Sequence, residues 1–307
     1  MYESARLSAA DYHELTDTRV HEPQRMREAL SARRRRSLVG PDGQLLIIAA
    51  DHTSRGRLGV GDDPSAAESR QDLLGRLVDG LADPRVDGVL ASADVLEELA
   101  LLGALDGRLA IGTMNRGGIA GSQWELDDRM TAYDAEHVIS TGLDGGKMLV
   151  RIEPTDPGVA RTLEMAAAAT SALSDAGIMT VIEPLPYLKS AAGQAVLDPS
   201  EDALTRAVAI ASGLGASSAH TWLKIPATAD PARVAAATTC PILLLGGDAG
   251  HEWEGVFGRW EQALGIPNVR GLMPGRALLY PAVLSVPAAM DRAATLVHGA
   301  LTEGDKS

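Results

Sequence analysis

One cysteine, Cys240, is present in 307 residues. A lone thiol excludes a disulfide framework and suits a reducing compartment, so a cytoplasmic location is expected. Cys240 precedes Pro241 at the start of an apolar run and reads as a buried, inert thiol. Aromatic residues make up only 3% of the chain, with a single Phe. The core must therefore be built mainly of Leu, Val, Ile and Ala. No run of about 18 apolar residues occurs, which argues against a membrane-spanning helix. The first residues are polar and charged, without a secretory-signal pattern. Positive charge is also scarce: 28 Lys and Arg face 41 Asp and Glu, a net charge of -13. That balance argues against nucleic acid or an acidic membrane as a partner of the whole surface. It leaves room for small anionic substrates, because a pocket can be locally positive.

What is present begins with a polar, helical arm over residues 1–44. Glu22-Pro23 opens a charged helical stretch that runs to Arg33-Arg34-Arg35-Arg36. On an acidic protein such a run reads as a solvated helix face or a subunit contact rather than a nucleic-acid site. From residue 45 to 298 a short apolar run followed by a helical stretch recurs eight times. The expected strands are Leu45–Ala50, Val86–Ala91, Leu109–Gly112, Lys147–Ile152, Met179–Glu183, Trp222–Ile225, Ile242–Leu245 and Val269–Met273. The expected helices are Ala66–Leu81, Asp94–Leu102, Tyr133–Ser140, Val159–Ala176, Glu201–Gly213, Pro231–Ala237, Trp253–Leu264 and a last one ending at His298. Residues 299–307 form a tail. Alternating strands and helices imply a parallel sheet, and strands that are apolar throughout imply that both faces are covered. Eight units of this size predict a closed (β/α)8 TIM barrel with an N-terminal helical extension. An open doubly wound sheet would favour a G-x-G-x-x-G turn after the first strand, and Asp51-His52-Thr53-Ser54 is not one.

In such a barrel the C-terminal strand ends converge on one mouth. The most informative of them is Thr221-Trp222-Leu223-Lys224-Ile225-Pro226, where an ammonium sits in an apolar strand just before a loop. Alternation along the strand places Lys224, Trp222 and His220 on one face, His220 deepest. Lys147, Leu149 and Arg151 share a face of the fourth strand, and Glu183 ends the fifth. Two lysines, Glu183 and Asp51 are therefore expected in one cavity. An amine attacks a ketone only when neutral, and burial beside a second cation lowers its pKa. Lys224 fits an amine that forms a Schiff base, Lys147 that second cation, and Glu183 and Asp51 the proton carriers. The plainer alternative is a pair of structural ion pairs, Lys147–Glu183 and Lys224–Asp51. Gly246-Gly247 and Gly275-Arg276 follow strands seven and eight, the usual phosphate grip of a barrel.

On these residues the chain resembles the class I, Schiff-base (β/α)8 aldolases, tagatose-bisphosphate and deoxyribose-phosphate aldolase-like. The resemblance spans residues 45–298. Its carriers are Asp51, Lys147 in Gly146-Lys147-Met148-Leu149-Val150, Glu183 in Val181-Ile182-Glu183-Pro184-Leu185, Lys224 in Leu223-Lys224-Ile225-Pro226, Gly246-Gly247, and Gly275-Arg276-Ala277. More narrowly, the chain is similar to aldolase-like barrels linked to inositol catabolism. That similarity implies cleavage of 2-deoxy-5-keto-gluconate 6-phosphate to dihydroxyacetone phosphate and malonate semialdehyde. A small sugar phosphate is the expected partner, in a homo-oligomer, with no nucleic acid or membrane partner and no cofactor or metal. Two positions depart from the resemblance. Leu245 stands where a serine commonly precedes the double glycine, and Arg151 where relatives carry an uncharged residue. By its inward parity Arg151 is expected to hold an anionic far end of the substrate; the alternative is a rim salt bridge with Glu153 or Asp156.

Competing readings are a metal-dependent hydrolase or class II aldolase using Asp51, His52, Glu183, Asp248 and His251, and a sugar-phosphate-binding barrel without catalysis. A further one keeps the scaffold but uses the amine-free chemistry of a thiolase-like relative. Neither His-x-His nor His-Glu-x-x-His spacing supports the metal set.

Overall fold

The computed structural model describes residues 2, 4, 6–115, 122, 124–191, 193–247 and 252–300. Most of the expected tail, from residue 301 on, and the Arg116-Gly117-Gly118 segment lie outside the described residues. Eight parallel strands close into a barrel: β1 (Leu45–Ala49), β2 (Gly88–Ala91), β3 (Leu109–Thr113), β4 (Gly145–Ile152), β5 (Met179–Lys189), β7 (Thr221–Pro226), β8 (Ile242–Leu245) and β9 (Val269–Leu272). The β4–β5 pairing closes the ring, with Lys147 opposite Val181 and Leu149 opposite Glu183. The ninth strand, β6 (Ala195–Leu197), pairs antiparallel with the end of β5.

Strand alternation divides the apolar residues into two shells. On β1, Leu45, Ile47 and Ala49 fill the barrel interior, while Leu46 and Ile48 face the helices. The same parity sends Trp222 of β7 inward and Leu223 and Ile225 outward. It follows that Lys224 points into the barrel. On β4 the outward residues are Met148, Val150 and Ile152, so Lys147 points inward too. Two buried ammonium groups inside one barrel need partners, because stripping water from each costs several kcal/mol.

The outer ring carries α3 (Arg70–Leu81), α4 (Ala93–Leu101), α5 (Ala135–Ser140), α6 (Pro157–Asp175), α7 (Glu201–Ser212), α8 (Pro231–Ala235), α9 (Trp253–Leu264), α10 (Arg276–Leu279) and α11 (Val286–His298). Their starts follow from local chemistry. The side chains of Ser69, Asp134, Asp156, Ser200, Asp230 and Ser285 each accept a backbone N–H in the first turn. None of the helices among the described residues is long and apolar enough to cross a membrane.

The N-terminal extension forms α1 (Ala9–His21), opened by a Ser8–Asp11 capping box, and α2 (Gln24–Ala32), which packs on α4. The arginine run is neither a solvated helix face nor part of α2. Chain direction turns extended at Arg33, and the guanidinium groups reach the acidic residues that precede the strands. Arg33 and Arg35 both hold Asp144, at 2.6 and 2.9 Å, and Arg36 holds Asp87 at 2.6 Å. The run thus fastens the arm across the N-terminal end of the barrel.

Three elements differ from expectation. β5 passes through Pro184 and Pro186 and then forms a hairpin with β6, where the expected strand ends at Glu183. Proline removes only an N–H, and the ladder to β4 runs on as far as Ile152–Pro186. Gly145 and Gly146 belong to β4 rather than to the loop before it. A Cβ on Gly146 would lie 2.7 Å from Met114 Sδ, so close packing requires the glycine there. His220 precedes β7 instead of lying deepest within the barrel; it is half-buried, with Nδ1 3.5 Å from Ser174 Oγ of α6.

Candidate active site

The charged groups expected at the mouth do come together. Lys147 is fully buried on β4. Its Nζ lies 3.0 Å from Asp51 Oδ2 and contacts Glu183 Oε2 still more closely. Lys224 Nζ, on β7, is 3.5 Å from Glu183 Oε1. Of the two structural ion pairs in the plainer alternative, Lys147–Glu183 is present, while Lys224 pairs with Glu183 rather than with Asp51. Lys147 spans both carboxylates, and Lys224 is the more loosely held amine.

Electrostatics follow from that arrangement. Burial alone would push the Asp51 carboxyl up, but Lys147, Arg55 and Lys224 hold it well below the usual carboxylate range. Glu183 is lowered by the same balance, with burial opposed by Lys147, Lys224 and Arg55. Lys224 moves the other way. Burial lowers its ammonium pKa, Glu183 opposes that shift, and Lys147 adds to it. The site thus favours ionised carboxylates next to an amine that loses its proton more readily than a free lysine.

Access separates the two lysines. A cavity of about 90 Å³ opens at the mouth, and Asp51, Arg55, Glu183, Lys224, Gly247 and Arg276 contribute to its wall. Lys147 lies beneath it, off the lining. A larger cavity of about 340 Å³ lies beside Arg76 and Tyr280. It has no lysine on its wall, so the smaller one is the candidate for amine chemistry.

The glycines after β8 and β9 are shaped by packing. Gly247 has φ +58°, which favours glycine, and a Cβ on Gly275 would sit 2.4 Å from the Ala49 carbonyl oxygen. Behind these turns the chain concentrates its few aromatics. Trp253, Phe257 and Trp260 of α9 stack in sequence, with ring centroids 4.3 and 4.8 Å apart. Trp260 Nε1 donates to the Leu245 carbonyl and Trp253 Nε1 to that of Ala277. Arg276 borders the cavity and donates from Nη1 to the Gly59 carbonyl at 3.0 Å.

Arg151 has a different neighbourhood from either expectation. Its guanidinium grips Asp128, with Nε 3.0 Å and Nη2 2.7 Å from Oδ1, and donates to the Glu125 carbonyl. The Tyr187 ring lies beneath it, 5.4 Å from centroid to Cζ. Neither Glu153 nor Asp156 is its partner: Glu153 accepts from Thr155, and Asp156 caps α6 and pairs with Lys189. Asn115 completes the network by donating to the Asp128 and Leu149 carbonyls. Arg151 is therefore a tie between β4 and residues 125–128.

Sequence reasoning missed Arg55. It lies on a short 3-10 turn after β1 (Thr53–Arg55), and its Nη2 is 3.2 Å from Asp51 Oδ2. The signal was its spacing: four residues after Asp51, one helical turn, reaches the same face. His52 borders the same cavity. Burial holds its imidazole pKa down at about 4; Asp51 opposes that shift, and Arg276, Arg55 and Lys224 add to it. Asp248 and His251 of the metal reading lie outside the described residues. Among the described residues no group of three or more His, Cys, Asp and Glu is arranged to hold a metal ion.

Comparison with known proteins adds to this geometry. A family model described as Cgl0159-like matches residues 43–294. The crystal structure of Cgl0159 from Corynebacterium glutamicum is 44% identical, with a TM-score of 0.92 over 96% of this chain and 99% of that one. An archaeal fructose 1,6-bisphosphate aldolase is similar at 20% identity and a TM-score of 0.63, over 89% of this chain and 99% of that one. An archaeal fructose-1,6-bisphosphate aldolase whose catalytic lysine is covalently bound to the carbinolamine intermediate gives 20% identity and a TM-score of 0.62, over 89% and 99%. At that identity the two aldolases share the fold. No match was found among curated proteins.

Proposed function

The chain belongs to the Cgl0159-like family, and from that premise we propose that it is a class I aldolase acting on a phosphorylated keto sugar or keto sugar acid. The observation that carries this reading is Lys224. It is a buried amine with a lowered pKa that borders a cavity, beside Glu183 at 3.5 Å, with a second ammonium group beneath.

Each residue then has a task. The neutral Lys224 amine attacks the substrate ketone, and Glu183 takes the proton that nitrogen sheds. The alkoxide takes up one proton from solvent to become the carbinolamine hydroxyl; Glu183 then gives its proton to that hydroxyl, water leaves, and an iminium remains. Asp51 accepts the proton of the substrate hydroxyl on the far carbon of the bond to be broken. The electrons of the C–C bond flow into the iminium, an aldehyde departs, and an enamine stays on Lys224. Protonation of the enamine and hydrolysis free the second product. Lys147 keeps Glu183 and Asp51 ionised, so that they act first as bases. The imine is itself the electron sink, so these steps draw on no cofactor. Backbone amides at Gly246, Gly247, Gly275 and Arg276, with the Arg276 charge, take the substrate phosphate.

The resemblance in sequence supports 2-deoxy-5-keto-gluconate 6-phosphate, of inositol catabolism, as the first substrate to assay. Residues 45–298 form the catalytic unit, 1–44 an arm and 299–307 a tail, in a cytoplasmic homo-oligomer. The archaeal aldolase with a carbinolamine on its lysine supports the same chemistry on the same fold.

Borohydride reduction in the presence of dihydroxyacetone phosphate, followed by peptide mass mapping, tests this reading. The expected result is a reduced adduct on Lys224. An adduct on Lys147 reverses the two lysines, and no adduct overturns the imine chemistry.

A further inference from the structure

Two cations border the cavity besides Lys224, and they lie on different sides of it. Arg276 follows β9 and donates to Gly59. Arg55 follows β1 and leans toward the β4 side, where the Asp128–Arg151 pair also bears on its charge. Of the five N–H donors on the Arg55 guanidinium, one hydrogen bond is made among the described residues, to Asp51. Its side chain is 16% exposed, and it contributes to the cavity wall.

The charge of the cluster points the same way. Lys147, Arg55 and Arg276 carry three positive charges against two on Asp51 and Glu183, before Lys224 is protonated. A phosphate held on the Arg276 side leaves Arg55 facing the remainder of the substrate. Arg151, the other cation near the mouth, is occupied by Asp128.

We propose that Arg55 forms a second anion subsite, which selects substrates carrying a carboxylate or phosphate at the end remote from the first phosphate. The assignment rests on the aldolase reading for the position of the ketone. It names the substrate class as doubly anionic. Asp51 orients the guanidinium, and the unused donors on the fork receive the substrate's remote anion.

Calorimetric binding tests the subsite without turnover. The ligands are fructose 1,6-bisphosphate and fructose 1-phosphate, which differ only in the remote phosphate. The native chain is expected to favour the bisphosphate by about tenfold to a hundredfold, the range of one charge-assisted pair. Arg55→Met is expected to bring the two affinities within about threefold of each other, and Arg55→Lys to restore part of the preference. A purely structural role in holding Asp51 would weaken both ligands together and leave their ratio alone. Equal affinity of the native chain for the two ligands, including no measurable binding of either, overturns the proposal. So does an unchanged ratio in Arg55→Met. Borohydride trapping on Lys224 is read separately, so the subsite and the imine chemistry fail independently.

Discussion

Lys147 and Lys224 present their amines to the two oxygens of one carboxylate, Glu183: Lys147 to Oε2 and Lys224 to Oε1. The sharing is unequal, because Lys147 also holds Asp51 at 3.0 Å while Lys224, among the described residues, makes the longer 3.5 Å contact. The first amine is thereby held between two carboxylates, and the second is left near the cavity with a lowered pKa.

Lys147→Met is expected to move the pH dependence of Lys224 trapping to higher pH. Removing Lys147 takes away a charge that lowers the Lys224 pKa. It also leaves Asp51 and Glu183 with less compensation, and both raise that pKa. Each unit of upward shift cuts the neutral-amine fraction at neutral pH about tenfold. The rate of borohydride trapping measured across pH checks this, and a profile unchanged from the native one would contradict it.

Stability should separate the same two lysines in the opposite sense to reactivity. Lys147→Met strands two buried carboxylates and is expected to cost about 3–5 kcal/mol. Lys224→Met removes a weakly paired buried charge and is expected to be neutral or stabilising within about 1–2 kcal/mol, while abolishing trapping. Urea unfolding of the two variants gives the comparison. Equal losses would mean that Lys224 is as much a structural partner of Glu183 as Lys147 is.

Arg33→Met is expected to destabilise the chain by about 2–4 kcal/mol without altering the rate of Lys224 trapping. Arg33 is almost fully buried on Asp144, which also accepts from the Ala110 N–H at the foot of β3. Loss of Arg33 leaves that carboxylate with the Ala110 N–H and, as its cation among the described residues, the exposed Arg35. Urea unfolding and borohydride trapping on one preparation test both halves. A fall in trapping would show that the arm governs the mouth from the far end of the barrel.

Strand parity explains why the barrel and its central charges were legible before any coordinates. Apolar runs with a lysine at an inward position mark Lys147 and Lys224 because no solvated alternative exists inside a barrel. Parity says less about the partner of Arg151, since it places a Cα but not the end of a long side chain, and Asp128 comes from a loop 23 residues earlier. Arg55 was missed because its turn after β1 carries no apolar period to reveal it. The helix-face reading of the arginine run gave way because its partners, Asp144 and Asp87, are acids scattered before separate strands, and only closure of the barrel gathers them.

His298 supplies a pH-dependent tie at that same end. Nδ1 lies 2.6 Å from Asp42 and Nε2 3.0 Å from Asp87, which Arg36 also holds. Burial would lower the imidazole pKa, but the two carboxylates outweigh it and raise it above the usual 6.5. A group with a raised folded pKa stabilises fully below its unfolded value and loses that contribution as pH rises through the folded one. The stability difference between the native chain and His298→Gln is therefore expected to be greatest below about pH 6.5 and to shrink on the alkaline side. Urea unfolding from pH 6 to pH 9 measures it. A difference that grows with pH would mean the imidazole is held neutral, with one nitrogen donating and the C-terminal helix fastened by hydrogen bonding alone.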